Sequence, residues 1–157
     1  MQMAGEMQRM ARWNRWANRV VGEVLIAAGG NPEPALRAFQ HIFETEVTWL
    51  RRFDGSNAEM VPLWKSASLE NALGLQREAD ALLSALTARL DDARLLQTFE
   101  YANSSGRRFT DRIQEPLLHM FLHSQQYRGE AAAFLNAAGH TVPDFDFIFW
   151  LRQGEPE

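Results

Sequence analysis

Four long amphipathic stretches, a short fifth and one brief extended interruption predict an all-α four-helix bundle. Apolar residues recur at three- and four-residue steps along most of the 157-residue chain. Glycines and capping residues punctuate those stripes where helices should end and begin. A content of 46% hydrophobic and 23% charged residues is that of a globular domain, so disorder and fibrous architectures are excluded and one domain, 1–157, is expected.

The first helix spans about Glu6 to Ala28, with a stripe of Met10, Trp13, Ala17, Val20, Val21, Val24 and Leu25 ended by Gly29-Gly30. The second follows Asn31-Pro32; its stripe runs Leu36, Phe39, Ile42, Phe43, Val47, Leu50 and Phe53 until the Asp54-Gly55-Ser56-Asn57 cluster. After a loop through Pro62, Ser68 is placed to cap a third helix carrying Leu69, Leu73, Leu82, Leu83, Leu86 and Leu90. Thr98-Phe99-Glu100-Tyr101 then alternates, and Asn103-Ser104-Ser105-Gly106 is a turn cluster before Arg107-Arg108-Phe109-Thr110, which predicts a short crossover hairpin or extended segment. The fourth helix starts near Pro116 and runs to Ala138 with Gly139 as its stop. Asp144 is placed to cap a last short helix, Phe145 to Arg152.

Composition removes several function classes. A net charge of −4 gives no global pull toward phosphate backbones, so no nucleic-acid partner is expected. With no cysteine there is no disulfide, thiolate zinc site, iron–sulfur cluster or cysteine nucleophile, and any metal must be held by nitrogen and oxygen. No run reaches the roughly 18 apolar residues of a membrane span, and Met1 to Arg12 lacks the apolar core of a signal peptide. A cytoplasmic protein without a membrane partner is expected.

Chemistry concentrates in the fourth helix, Leu117-Leu118-His119-Met120-Phe121-Leu122-His123-Ser124-Gln125-Gln126-Tyr127-Arg128-Gly129-Glu130. Four residues return a helical side chain to nearly the same face, so His119 with His123, or His123 with Tyr127, can converge on one ion. One such pair is weak evidence. His41, embedded in the apolar second helix, adds a third imidazole from a facing element, which is how bundles build metal sites.

Several segments together resemble the DinB-like (YfiT-like) family of bacterial four-helix bundle proteins over nearly the whole chain. They are Trp13-Asn14-Arg15-Trp16-Ala17-Asn18, His41-Ile42-Phe43-Glu44-Thr45-Glu46-Val47-Thr48-Trp49-Leu50, the Thr98 to Thr110 crossover, Leu117-Leu118-His119 through His123, and the ending from Gly139-His140 through Pro143-Asp144 to Phe149-Trp150-Leu151-Arg152. The resemblance implies one divalent ion, zinc or nickel, held by a histidine of the second helix and two of the fourth, the last just before Arg-Gly-Gln. Those positions here are His41, His123 and Tyr127. Tyr127-Arg128-Gly129-Glu130 replaces the usual His-Arg-Gly-Gln, so one imidazole has become a phenol with a reference pKa of about 10. Releasing that proton weakens metal binding. The site uses Tyr127, or shifts one turn to His41, His119 and His123, or is empty. His119 and Tyr127 lie eight residues apart, about 12 Å along the helix, so His123 is the shared ligand in either occupied geometry.

Smaller candidates surround these. Glu130 is placed one turn beyond Gln126 to orient His41, unless it faces solvent. Glu44 reaches the site only if its rotation allows, and Glu46 with Trp49 reads as structural. Trp13, Trp16, Trp49, Trp64 and Trp150 are core aromatics, or pocket walls where they approach a metal. His140 reads as a loop residue. The resemblance implies a metal-dependent thiol S-transferase or hydrolase acting on a small molecule, with a small-molecule thiol and a homodimer as partners. The competing class is a non-catalytic, stress-associated binding or assembly protein with a degenerate metal site. Tyr127 favours decay; retained His41 and His123 favour function.

Overall fold

The computed structural model describes residues 3–53, 61–63 and 66–157. In chain order these form α1 (Met3–Ala27), α2 (Glu33–Phe53), α3 (Leu69–Thr87), α4 (Asp92–Leu95), β1 (Thr98–Ala102), β2 (Arg108–Arg112), α5 (Gln114–Ala137) and α6 (Phe147–Arg152). The four long helices are those expected, and no described helix is long and apolar enough to cross a membrane. The Asp54 to Asn57 cluster and Trp64 lie outside the described residues.

Local chemistry sets the ends. Ser68 accepts the Asn71 N–H at 3.1 Å and starts α3 as expected. That helix stops at Thr87, whose hydroxyl bonds back to the carbonyl of Leu83 at 2.9 Å, while Leu90 still reaches the core from the following turn. The one-turn α4 was not foreseen; Asp91 caps it by accepting the Arg94 N–H at 2.7 Å. Gly139 takes φ 91°, and the adjoining His140 N–H closes on the Leu135 carbonyl at 3.0 Å, which terminates α5. Pro116 falls in the first turn of α5, where a missing N–H breaks no helical bond.

The last helix corrects the expectation. It begins at Phe147, with Asp146 rather than Asp144 in the capping position. The Phe145 carbonyl accepts the Trp13 indole N–H at 3.0 Å, which ties that residue to α1 before the helix can start.

β1 and β2 pair antiparallel with Phe99 opposite Asp111 and Tyr101 opposite Phe109. Alternation puts these four side chains on the better-covered face, against α2 and α5. Asn103 closes the turn by accepting the Ser105 and Arg107 N–H groups.

α2 packs chiefly on α5 and α3, and α1 on α5 and α3. Phe39, Ile42, Phe43, Val47 and Leu50 of α2 form the middle of the core with Leu25, Leu83, Leu117, Met120, Phe121 and Leu135. A Cβ on Gly22 would meet the Phe39 ring at 2.9 Å, so α1 approaches α2 through a bare backbone. A second cluster joins Trp13, Trp16 and Ala17 to Trp150.

A polar clamp runs through this apolar interior. Glu46 Oε1 accepts the Asn14 amide at 2.8 Å, the Asn18 amide at 3.2 Å and the Ser124 hydroxyl at 2.7 Å. The carbonyl oxygens of the same two asparagines accept Arg128 Nη1 at 2.6 and 2.7 Å. Arg128, fully buried, also lies 4.8 Å over the Trp13 ring. Burial lowers its pKa to about 10 while Glu46 opposes the shift, so the guanidinium stays charged at neutral pH. The two carboxamides therefore relay a buried cation to a buried anion across α1, α2 and α5.

Removing one end strands the other. Glu46→Leu should reduce unfolding free energy by about 3–5 kcal/mol, because Arg128 loses its buried counter-charge and the Asn14 and Asn18 amides and the Ser124 hydroxyl lose their acceptor. Urea denaturation measures it, with Glu46→Gln expected to lose less. A loss below about 1 kcal/mol for Glu46→Leu would contradict the relay.

Candidate functional site

On α5, Ser124 and Arg128 are one turn apart and are engaged by the clamp. The residues immediately before them, His123 and Tyr127, form a neighbouring stripe roughly 100° round the helix. That stripe meets His41 of α2. The ring centroids of His41 and His123 are 5.1 Å apart, those of His41 and Tyr127 4.5 Å, and those of His123 and Tyr127 4.6 Å. Two imidazoles and a phenol thus form one mutual cluster.

His41 is buried and held by its own helix. Its Nδ1 lies 3.1 Å from Glu44 Oε2, a contact in which an ionised carboxylate accepts from the ring N–H. Glu44 Oε1 accepts the Gln40 amide at 2.9 Å, and Gln40 Oε1 in turn accepts the Ser68 N–H at 3.2 Å. This chain reaches from the start of α3 to the His41 ring. Glu130 is exposed on α5, the solvent-facing alternative of its two sequence readings. Glu44 orients His41 instead, because its i, i+3 spacing brings it back beside the imidazole. Glu46 is structural, as expected, through the clamp.

His123 has the opposite character. Its Nδ1 is buried and has no hydrogen-bond partner among the described residues. Desolvation lowers its pKa to about 4, with His41 and His119 nearby acting in the same direction. The imidazole is therefore neutral at pH 7, the form that a metal needs. Leaving a buried nitrogen unsatisfied costs on the order of 1–3 kcal/mol, which an ion or donor on that atom offsets.

His119 stands apart. It is exposed, with its ring 5.7 Å from His123 and 6.0 Å from Trp49. Among the described residues no three His, Cys, Asp or Glu side chains come together with metal-like spacing. The cluster's third member is the phenol of Tyr127. His140 lies in the turn after α5.

The sequence model of the DinB family matches residues 1–157. The chain belongs to the DinB family. No curated protein and no solved structure gives a significant match. As a DinB-family bundle it presents His41 and His123 on facing helices, the arrangement expected from the sequence, with Tyr127 completing the group.

Sequence reasoning missed two features. The asparagine–arginine relay carried a visible signal, since Asn14 with Asn18 and Ser124 with Arg128 are both one helical turn apart. The approach of the hairpin to Trp49 carried none, because it depends on a loop crossing the bundle.

The depressed pKa makes an acid-sensitivity prediction. The unfolded chain takes up the His123 proton near pH 6.5 and the folded one only near 4, so this residue's contribution to stability declines as pH falls through that window. His123→Gln should flatten the decline by on the order of 1 kcal/mol, discounted for partial exposure. Urea midpoints of both proteins between pH 7 and 4 measure it; parallel curves would contradict the assignment.

Proposed function

We propose that His41, His123 and Tyr127 hold one divalent ion, zinc or nickel, and that this DinB-family protein is a metal-dependent enzyme acting on a small molecule by thiol transfer or hydrolysis. The observation that carries this reading is His123, a neutral imidazole with an unsatisfied buried nitrogen, 5.1 Å from a second imidazole already oriented by a carboxylate. What a divalent ion supplies in such a site is a lowered pKa for a bound thiol or water at an open coordination position. With no cysteine in the chain, a thiol nucleophile must come from a small-molecule thiol.

The chain's own residues have separate tasks. Glu44 holds the His41 ring through Nδ1, and Gln40 keeps Glu44 in place. His123 contributes a base that stays unprotonated well below neutral pH. Tyr127 closes the cluster with an oxygen whose proton must leave before it binds strongly, which attenuates affinity. A homodimer is supported by Leu118 and Leu122, exposed one turn apart on α5.

A second reading, a non-catalytic binding or assembly protein with a decayed metal site, is favoured by one observation: a phenol stands where a third imidazole would complete the ligand set. Metal analysis separates the two. Protein purified without a polyhistidine tag should contain zinc or nickel, or take it up in a calorimetric titration at pH 7. His123→Ala should lower uptake more than His119→Ala. Tyr127→His should tighten binding, with a ceiling of about 4 kcal/mol from the roughly three-unit difference between phenol and imidazole. No uptake by the wild type would support the decayed site, and unchanged uptake by His123→Ala would overturn the proposed ligand set.

A further inference from the structure

The hairpin, α2 and the first turns of α5 enclose an open cavity of about 320 Å³. Trp49, Tyr101, Asp111, Glu115, Pro116 and His119 line it. Strand alternation turns Tyr101 and Asp111 to the same side of the hairpin, and i, i+4 spacing stacks Glu115 and His119 on one face of α5. Trp49 supplies the α2 wall, its ring 5.0 Å from that of Tyr101 and 6.0 Å from that of His119.

The lining is aromatic and anionic. Asp111 Oδ2 accepts the Tyr101 hydroxyl at 2.7 Å, and Glu115 Oε1 accepts the Gln114 amide at 2.9 Å. Both partners are neutral. Among the described residues neither carboxylate forms an ion pair, and no lysine or arginine lines the cavity. Arg52 shows what these rings attract: its guanidinium lies 4.7 Å over Trp49 and 5.0 Å over Tyr101, while its Nη2 donates to the Ala102 carbonyl at 2.8 Å. Aromatic walls with carboxylates that form no ion pair among the described residues favour an organic cation over an anion. The volume is at the lower end of the range of about 300–1,000 Å³ for small-molecule sites, enough to seat a single ring with a short arm.

We propose that this cavity binds a small primary amine with an aromatic body, its ammonium against Asp111 and Glu115 and its ring against Trp49 and Tyr101. The cavity adjoins the ring cluster, because His119 lines it and lies 5.7 Å from His123. That the amine is the substrate of the metal centre rests on the reading given above; that it binds does not.

Calorimetric titration of the metal-free full chain with benzylamine, benzyl alcohol and benzoate tests the cavity alone. Benzylamine should bind saturably, at least tenfold tighter than benzyl alcohol, and benzoate should not bind. Asp111→Asn and Glu115→Gln should each weaken benzylamine at least threefold and together at least tenfold, whereas Glu23→Gln, an exposed carboxylate of α1 outside the lining, should stay within twofold of the wild type. Benzoate or benzyl alcohol binding as well as benzylamine, no binding of benzylamine, or unchanged affinity in the double variant would overturn the proposal. Zinc binding is measured separately, so benzylamine binding by a protein that takes up no zinc would overturn the metal reading and uphold the amine site.

Discussion

The buried charge of Arg128, relayed by Asn14 and Asn18 to Glu46, is the interaction on which the arrangement of the bundle depends. Hydrophobic packing alone tolerates rotation of a helix about its axis, since α5 carries apolar residues on much of its circumference: Leu117 and Met120 buried, Leu118 and Leu122 exposed. A buried guanidinium does not tolerate it. Turning α5 by one residue would withdraw Arg128 from both carboxamides and Ser124 from Glu46, leaving several polar groups without partners in a dry interior. The clamp therefore selects one rotation, and that rotation sets the neighbouring stripe of His123 and Tyr127 against His41.

Satisfied and unsatisfied buried polar groups are thus placed one residue apart along α5. Ser124 and Arg128 are satisfied and structural, whereas His123 keeps a buried nitrogen with no partner among the described residues. The fold satisfies the five deeply buried polar residues of the clamp, Asn14, Asn18, Glu46, Ser124 and Arg128, and leaves the adjacent imidazole nitrogen unmatched among the described residues. Glu44 holds the His41 ring through Nδ1, and Tyr127 packs against both imidazoles.

Much of this was legible in the sequence for physical reasons. The stripes of α1, α2 and α3, the Ser68 cap and the Gly139 stop are local, so their residues announce them. His41 and His123 could be paired because the resemblance placed both on facing helices, and Tyr127 because it stands four residues beyond His123. What could not be read depends on contacts between distant segments. Asp144 was expected to cap the last helix, but Phe145 is held by Trp13, more than 130 residues earlier, and the cap moves to Asp146. Glu130 was a candidate to orient His41, yet the rotation fixed by Arg128 leaves it exposed and Glu44 serves instead. The acidic cavity was illegible too, because Asp111 and Glu115 meet Trp49 only after the hairpin folds over α2 and α5.

The dependence of the ring cluster on the clamp can be measured through nuclear Overhauser contacts between the ring protons of His41, His123 and Tyr127. The wild type should show all three pairs, in keeping with centroid separations of 4.5–5.1 Å. In Arg128→Met, under conditions where its far-ultraviolet circular dichroism matches the wild type, the contacts from His41 to both α5 rings should disappear. Their persistence in that helical variant would show that apolar packing alone orients α5, and would contradict the central role of the buried charge.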